Sequence, residues 1–365
     1  MASVRPFQAL RFDPAAAGPL ETLVAPPYDV ISSAQRDELQ ASSPHNITHL
    51  TLPDSADGAA RTLADWRQRG VLVRDERPAA YVIEQDFVGP DGIARTRTGL
   101  AASLEVEPYE AGTILPHERT HRGPKEDRLR LLREVHTQLE PIFCLYHGPP
   151  PLDRPDRPPD LEIEGTRVWR VEDDGAVSDG FADRELLIAD GHHRYETALA
   201  FHEEMGTPES GRTLAVLVSS RDDGLAIFPT HRVFERAPEA AGSLPVDVVS
   251  SHDDAHEALA SLADLDYERP AAIRYAADKA ELLVGPPGEL DVQLVDRLGH
   301  DGISYTPRAE EATASVDRGE ADVAFLIRAL RIEDVFAVAR RGEVMPQKST
   351  YFYPKLTSGL LLHPV

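Results

Sequence analysis

The sequence predicts a mixed α/β protein (α+β in its detailed arrangement) assembled from several units, and three features carry that expectation. Strand and helix signals alternate along most of the 365 residues. Leu186, Leu187, Ile188 and Ala189 form a short continuous apolar run, the pattern of a strand covered on both faces. After Asp190-Gly191 the residues Tyr195, Ala198, Leu199 and His202 recur at helical spacing. No apolar run approaches the roughly 20 residues needed to span a bilayer.

Taken in order, Val24 to Ile31 is an extended, proline-stiffened piece, and Ser32 with Gln35 makes a capping box for a helix to about Ala41. A second helix runs from roughly Gly58 to Arg69, with Leu63 and Trp66 inward and Gly70 as its stop. Ala80–Val88 and Ile93–Glu105 are strands joined by the turn Gly89-Pro-Asp-Gly92. Periodicity is lost from Thr113 to Thr120, then Leu129, Leu132, Val135 and Leu139 mark a helix from Lys125 to Leu139. Pro141–His147 reads as a strand, and the proline-rich, charged stretch after it reads as a linker. Leu214–Ser219, Leu225–Phe234 and Ala324–Ile327 are further strands. These signals divide the chain into an N-terminal α/β domain (1–147), a linker (148–160), a core segment with the Asp-Gly-His-His-Arg turn (161–236), an α/β subdomain (237–301) and a C-terminal segment returning to the core (302–365).

A formal net charge of −24 argues against non-specific binding of nucleic acid or anionic membrane, both of which need a basic face. A small-molecule substrate is expected instead, and composition leaves the oligomeric state open. Cys144 is the only cysteine and lies in an apolar stretch, so a buried, inert thiol is expected. The first residues lack a signal-peptide pattern, which points to a cytoplasmic protein. Basic residues are 34 arginines against four lysines, Lys125, Lys279, Lys348 and Lys355. In such a chain a retained lysine invites a specific role, for instance a compact charge on phosphate.

The turn Asp190-Gly-His-His-Arg194 places two imidazoles and a guanidinium where unpaired N–H groups and the helix dipole already favour an anion. Asp190, Gly191, His192, His193 and Arg194 are therefore candidates for binding phosphate. Lys348, Ser349 and Thr350 are adjacent, as an anion site would want, with no glycine-rich Walker loop before them. Lys348 is expected to reach the same pocket as Arg194. His117-Glu-Arg-Thr-His121 has the letters of a zinc-peptidase motif, which needs both histidines on one helical face. Pro116 before it and Arg122-Gly-Pro124 after it favour an irregular polar loop carrying Glu118 among cations. His117, Arg119 and Lys125 there, with His231 and Arg232 further on, are candidates for holding substrate. Asp29 is a possible base or magnesium ligand.

Four blocks resemble the hallmarks of the uncharacterised prokaryotic family known as domain of unknown function 1015. They are Val24-Ala-Pro-Pro-Tyr-Asp-Val-Ile-Ser32, His117-Glu-Arg-Thr120, Ile188-Ala-Asp-Gly-His-His-Arg-Tyr195 and Met345-Pro-Gln-Lys-Ser-Thr-Tyr-Phe-Tyr-Pro-Lys355. The Asp190 turn also resembles the phosphate-binding motif of the ParB/sulfiredoxin superfamily. That resemblance implies a ParB/sulfiredoxin-like phosphate-binding core with additional α/β subdomains. It further implies that Gly191, His192 and Arg194 contact phosphate oxygens, while Asp190 orients the turn or a metal. The acidic chain lacks the basic helix-turn-helix of the DNA-partition branch and has no cysteine near the motif, as sulfiredoxin would, so the small-molecule kinase branch fits best.

The expected activity is phosphoryl transfer to the hydroxyl of free serine, or the reverse on phosphoserine, with ATP, ADP or pyrophosphate as donor and Mg2+ as cofactor. Glu118 is the favoured base, with Asp29 the alternative and His192 a third catalytic candidate. The cations around Glu118 are expected to keep it ionised. A non-catalytic nucleotide sensor and a zinc hydrolase built on His117 and His121 are the alternatives.

Overall fold

The computed structural model describes residues 2–118, 122–277 and 279–365. Its larger sheet contains β1 (Val4–Arg5), β2 (Ala80–Val88), β3 (Ala94–Glu105), β4 (Ile114–Leu115), β5 (Ile142–Tyr146), β6 (Leu161–Ile163), β7 (Thr166–Val171), β8 (Leu186–Asp190) and β9 (Arg212–Ser219). The strand order is β4-β8-β5-β9-β3-β2-β7-β6, with β1 paired to β3. β8 runs parallel to β4 and antiparallel to β5, whereas β5 and β9 are parallel. Strands on both sides of the 148–160 stretch thus share one sheet.

Both faces of this sheet are covered, which is why its central strands are continuously apolar. Phe143, Leu145, Leu187, Ala189, Val216 and Val218 enter one core, and Ile142, Cys144, Leu186, Ile188 and Leu217 enter the other. The alternation is the period-2 geometry of a strand, with each side buried by a different layer. Cys144 is buried, and desolvation pushes its thiol pKa up.

In four helices the local signals can be compared with the outcome. α1 (Ser33–Ser42) begins with the expected capping box of Ser32 and Gln35. α2 (Ala56–Gln68) begins earlier than its apolar pattern suggests, because the Ser55 side chain accepts from the Gly58 N–H. Leu63 and Trp66 are buried on it. α3 (Arg122–Val135) stops short of the expected Leu139, where His136 adopts a positive φ of 44°. Thr137 and Gln138 then pair with His363 and Pro364, so Leu139 is buried without being helical. α4 (His192–Met205) follows β8 and packs against α3.

The expected single strand Leu225–Phe234 is two. β10 (Ala226–Phe228) and β11 (His231–Phe234) flank Pro229, which has no N–H to continue a ladder. β10 pairs with the C-terminal strand Tyr351–Tyr353. β11 joins a second sheet with β12 (Asp247–His252), β13 (Ala271–Ala276), β14 (Lys279–Val284), β15 (Ile303–Thr306) and β16 (Val323–Leu326), in the order β12-β14-β13-β16-β11-β15. This sheet extends on both sides of the 237–301 segment. Among the described residues no helix is long and apolar enough to cross a membrane.

Leu145 on β5 is fully buried and faces a core shared with Leu187. Leu145→Ala is expected to lower unfolding free energy by about 2–5 kcal/mol, measured by urea denaturation at constant m-value.

Candidate functional site

Asp190 ends β8, and Gly191 turns the chain into α4 with φ +93°. A Cβ there would lie 3.0 Å from Nε of Arg194 and 3.1 Å from Cγ2 of Ile142, so the turn requires glycine. Gly191, at the N-cap of α4, has no side chain with which to cap the helix. His193 lies in this first helical turn, beside His192.

The Asp190 carboxylate is held by two cations. The Lys355 ammonium donates to Oδ1 at 2.8 Å, and the Arg194 guanidinium donates to Oδ2 at 2.8 Å. Arg194 is itself buried and also donates to the Pro141 carbonyl. Burial alone would raise the Asp190 pKa, but Lys355 and then Arg194 outweigh it and hold the carboxyl well below its usual range. Asp190 is thus poorly suited to Mg2+, since both oxygens already face positive charge. Among the described residues no cluster of three or more His, Cys, Asp or Glu is placed to hold a metal.

Beside the turn lie two neutral imidazoles. Nδ1 of His117 is 2.7 Å from the Ile188 carbonyl, which only accepts, so Nδ1 carries the proton. Burial pushes the His117 pKa down to about 4, so Nε2 is left as an acceptor for the Thr350 hydroxyl at 3.0 Å. His192 Nε2 accepts the His117 backbone N–H at 3.3 Å, which puts its own proton on Nδ1. Desolvation likewise lowers the His192 pKa. The two rings meet edge to face, with centroids 4.8 Å apart.

Glu118 forms a parallel bridge with Met345, whose N–H donates to the His117 carbonyl at 2.9 Å. Its carboxylate accepts from the backbone N–H of Lys348, which sits at φ +55°. The Ser349 hydroxyl secures that loop by donating to the Pro346 carbonyl at 2.6 Å. Burial raises the Glu118 pKa against the pull of Lys348 and Lys355, so desolvation outweighs the cations expected to keep it ionised.

The N-terminal block also reaches this region. Ala25 pairs with Ser358, and the Tyr28 N–H and Ser358 hydroxyl donate to buried Glu140 at 3.0 and 2.7 Å. Arg128 lies over the Tyr28 ring at 4.3 Å. Asp29 is exposed, and its charge reaches Arg194. Lys125 pairs with Glu196 of α4 at 3.3 Å.

Four stretches far apart in sequence therefore meet at the β8–α4 turn. His231 and Arg232 instead have their partners around the second sheet. His231 Nδ1 accepts from the Ile327 N–H at 3.2 Å, and Arg232 donates to the Thr230 carbonyl and lies over Tyr305. Arg119 and His121 lie outside the described residues. His117 precedes the start of α3 in non-helical chain, with both ring nitrogens engaged, which is not the helical arrangement of a zinc peptidase. Sequence reasoning did not place Lys355 or Glu140 in the site. Lysine scarcity was a signal for Lys355; no local pattern marks Glu140.

Residues 4–251 match the model of a family described as a protein of unknown function (DUF1015). No match was found among the curated proteins. Among solved structures, a conserved hypothetical protein from Pyrococcus furiosus is similar at 18% identity, over 71% of this chain and 95% of that one, with a TM-score of 0.39. A free serine kinase in complex with AMP is similar at 17% identity, over 71% and 92%, with a TM-score of 0.42. SbnI with a C-terminal truncation, from Staphylococcus aureus, is similar at 14% identity, over 69% and 84%, with a TM-score of 0.40.

Because the Asp190 pKa is lower folded than unfolded, its ion pairs contribute stability above the unfolded value near about 3.9 and lose it as pH falls through the folded value. Asp190→Asn is therefore expected to cost about 3 kcal/mol near neutrality. The gap from wild type should shrink steadily below about pH 4 in chemical denaturation.

Proposed function

The chain belongs to the DUF1015 family, and we propose that it is a phosphotransferase that moves a phosphoryl group to the hydroxyl of a small metabolite, free serine foremost, or runs the reverse reaction on phosphoserine. One observation carries this reading. Around the β8–α4 turn Lys355 and Arg194 hold Asp190, while Lys348 and Lys355 act on a desolvated carboxylate, Glu118, in a chain that is otherwise strongly acidic. The resemblance of the turn to the phosphate-binding motif of the ParB/sulfiredoxin superfamily, whose small-molecule kinase branch fits this chain best, supports serine as the first acceptor to test.

In this reading the donor is ATP, ADP or pyrophosphate, and its phosphates lie at the start of α4 against Gly191, His192 and His193. One Lys355 N–H goes to Asp190, and an ammonium has two more to offer an anion. Arg194 holds Asp190, and Asp190 aims Lys355. His192 enters as a neutral Nδ1–H donor, while His117 holds Thr350 and thereby the Lys348–Thr350 loop. Glu118 accepts the proton of the acceptor hydroxyl as its oxygen bonds to phosphorus, and the bridging P–O bond breaks with its electron pair leaving on the donor. Mg2+ is the expected companion of the donor's phosphates, and no step is assigned to it on Asp190.

Phosphorus NMR of the protein with each donor, Mg2+ and free serine is expected to show phosphoserine. Bound nucleotide with no product from any hydroxyl metabolite would leave a nucleotide-sensing role instead. Glu118→Gln is expected to remove turnover with donor affinity little changed, because only the proton acceptor is lost. The base works deprotonated and burial raises its pKa, so kcat/KM should rise with pH through a limb above the usual glutamate value of about 4.3. Lys355→Met is expected to lower kcat by about 10²–10³-fold, the scale of losing one transition-state donor; wild-type rates in either variant would refute its assigned role.

A further inference from the structure

Arg97 stands in the middle of β3 with 1% of its surface exposed. Its Nη2 donates to Oε1 of Gln85 at 2.5 Å and to the Pro354 carbonyl at 2.8 Å. The guanidinium lies over the Phe143 ring, 4.7 Å from its centroid. Among the described residues it makes no ion pair, and Nη1 has no hydrogen-bond partner. Asp222 and Asp190 act on it only from a distance, and burial drops its pKa to about 10. A buried charge without a direct counter-ion is costly, and an apolar side chain of similar length would pack there more favourably. Stability alone does not account for an arginine here.

Its two contacts share one destination. Pro354 immediately precedes Lys355, whose ammonium meets Asp190. Phe143 is the cross-strand partner of Asp190 in the β5–β8 ladder. Arg97 therefore grips the backbone that delivers Lys355 and stacks on the residue opposite Asp190, bridging positions 257 apart in sequence. We propose that Arg97 is a positioning residue, which holds the Tyr353–Lys355 segment against β5 so that the Lys355 ammonium stays on Asp190 and in line with the anion. The consequence for phosphate binding rests on the function proposed above; the placement of Lys355 does not.

The experiment separates the two. The chain has only four lysines, so lysine-selective 15N labelling gives a side-chain spectrum simple enough to follow Lys355, assigned by its loss in Lys355→Met. Arg97→Met keeps the stacking bulk and loses both hydrogen bonds; it is expected to shift the Lys355 resonance and its titration. Arg97→Lys, whose ammonium can donate to both carbonyl oxygens, is expected to restore them. Arg97→Gln, polar but too short to bridge the same span, serves if Arg97→Met does not fold, with melting temperatures as the check. An unmoved Lys355 signal in the folded variants overturns the proposal.

Calorimetry with inorganic pyrophosphate supplies the second readout. Lys355→Met and Arg97→Met should each weaken binding by roughly tenfold, the worth of a hydrogen bond to a charged group. The double variant should bind no worse than Lys355→Met alone, since both changes remove one interaction. Additive losses overturn the positioning role. If Lys355→Met binds pyrophosphate as wild type does while Arg97→Met still moves the Lys355 signal, the phosphate-site reading fails and the positioning role stands.

Discussion

A carboxylate at the end of a buried strand, accepting from an ammonium on one oxygen and a guanidinium on the other, ties together three separate stretches of the chain. Asp190 belongs to the central sheet, Arg194 to the helix that leaves it and Lys355 to the last stretch of the chain. Arg194 anchors the same group to the Pro141 carbonyl at the entrance to β5. Because a charge buried beside only one partner would be costly, each member constrains the other two. The turn's glycine is needed where a side chain would collide with the arginine it must accommodate.

Burial sets the chemistry around that pair more strongly than charge does. His117 and His192 are both neutral because desolvation outweighs the nearby Asp190, and their tautomers follow from partners that can only donate or only accept. Glu118 is raised by the same force, although two lysines pull the other way. A carboxylate so placed suits proton acceptance nearer neutrality than an exposed glutamate does. The acidic surface and the cationic turn are compatible for a related reason. Surface charges are screened by solvent, whereas buried Arg194 and half-buried Lys355 act on Asp190 at hydrogen-bond distance.

Much of the secondary structure was legible. The Ser32–Gln35 capping box, the strands flanking Gly89–Gly92, the β8–α4 junction and the apolar strand after Pro141 all have local causes. Errors came where a neighbour overrode a local pattern. Leu139 keeps helical spacing but belongs to chain recruited by the C-terminus. Leu225–Phe234 reads as one strand, yet Pro229 sends its halves to different sheets. For His231 and Arg232, candidates for holding substrate, the structure gives partners around the second sheet, a placement that no local pattern of the chain specifies.

The amino-acid sequence by itself determined a glycine turn from a doubly covered strand into a helix, a clustering of histidine and arginine at that turn, four scarce lysines and an acidic chain without a basic face. These come from backbone geometry, periodicity and composition, which act over a few residues or over the whole chain at once. Only the tertiary structure decided that Lys355 pairs with Asp190, that Glu140 receives the N-terminal block, that Arg97 supports the C-terminal strand and that burial raises Glu118. Those outcomes depend on which segments meet across separations of 112 to 257 residues and on how much water remains between them. Neither quantity is encoded in any local window of the chain.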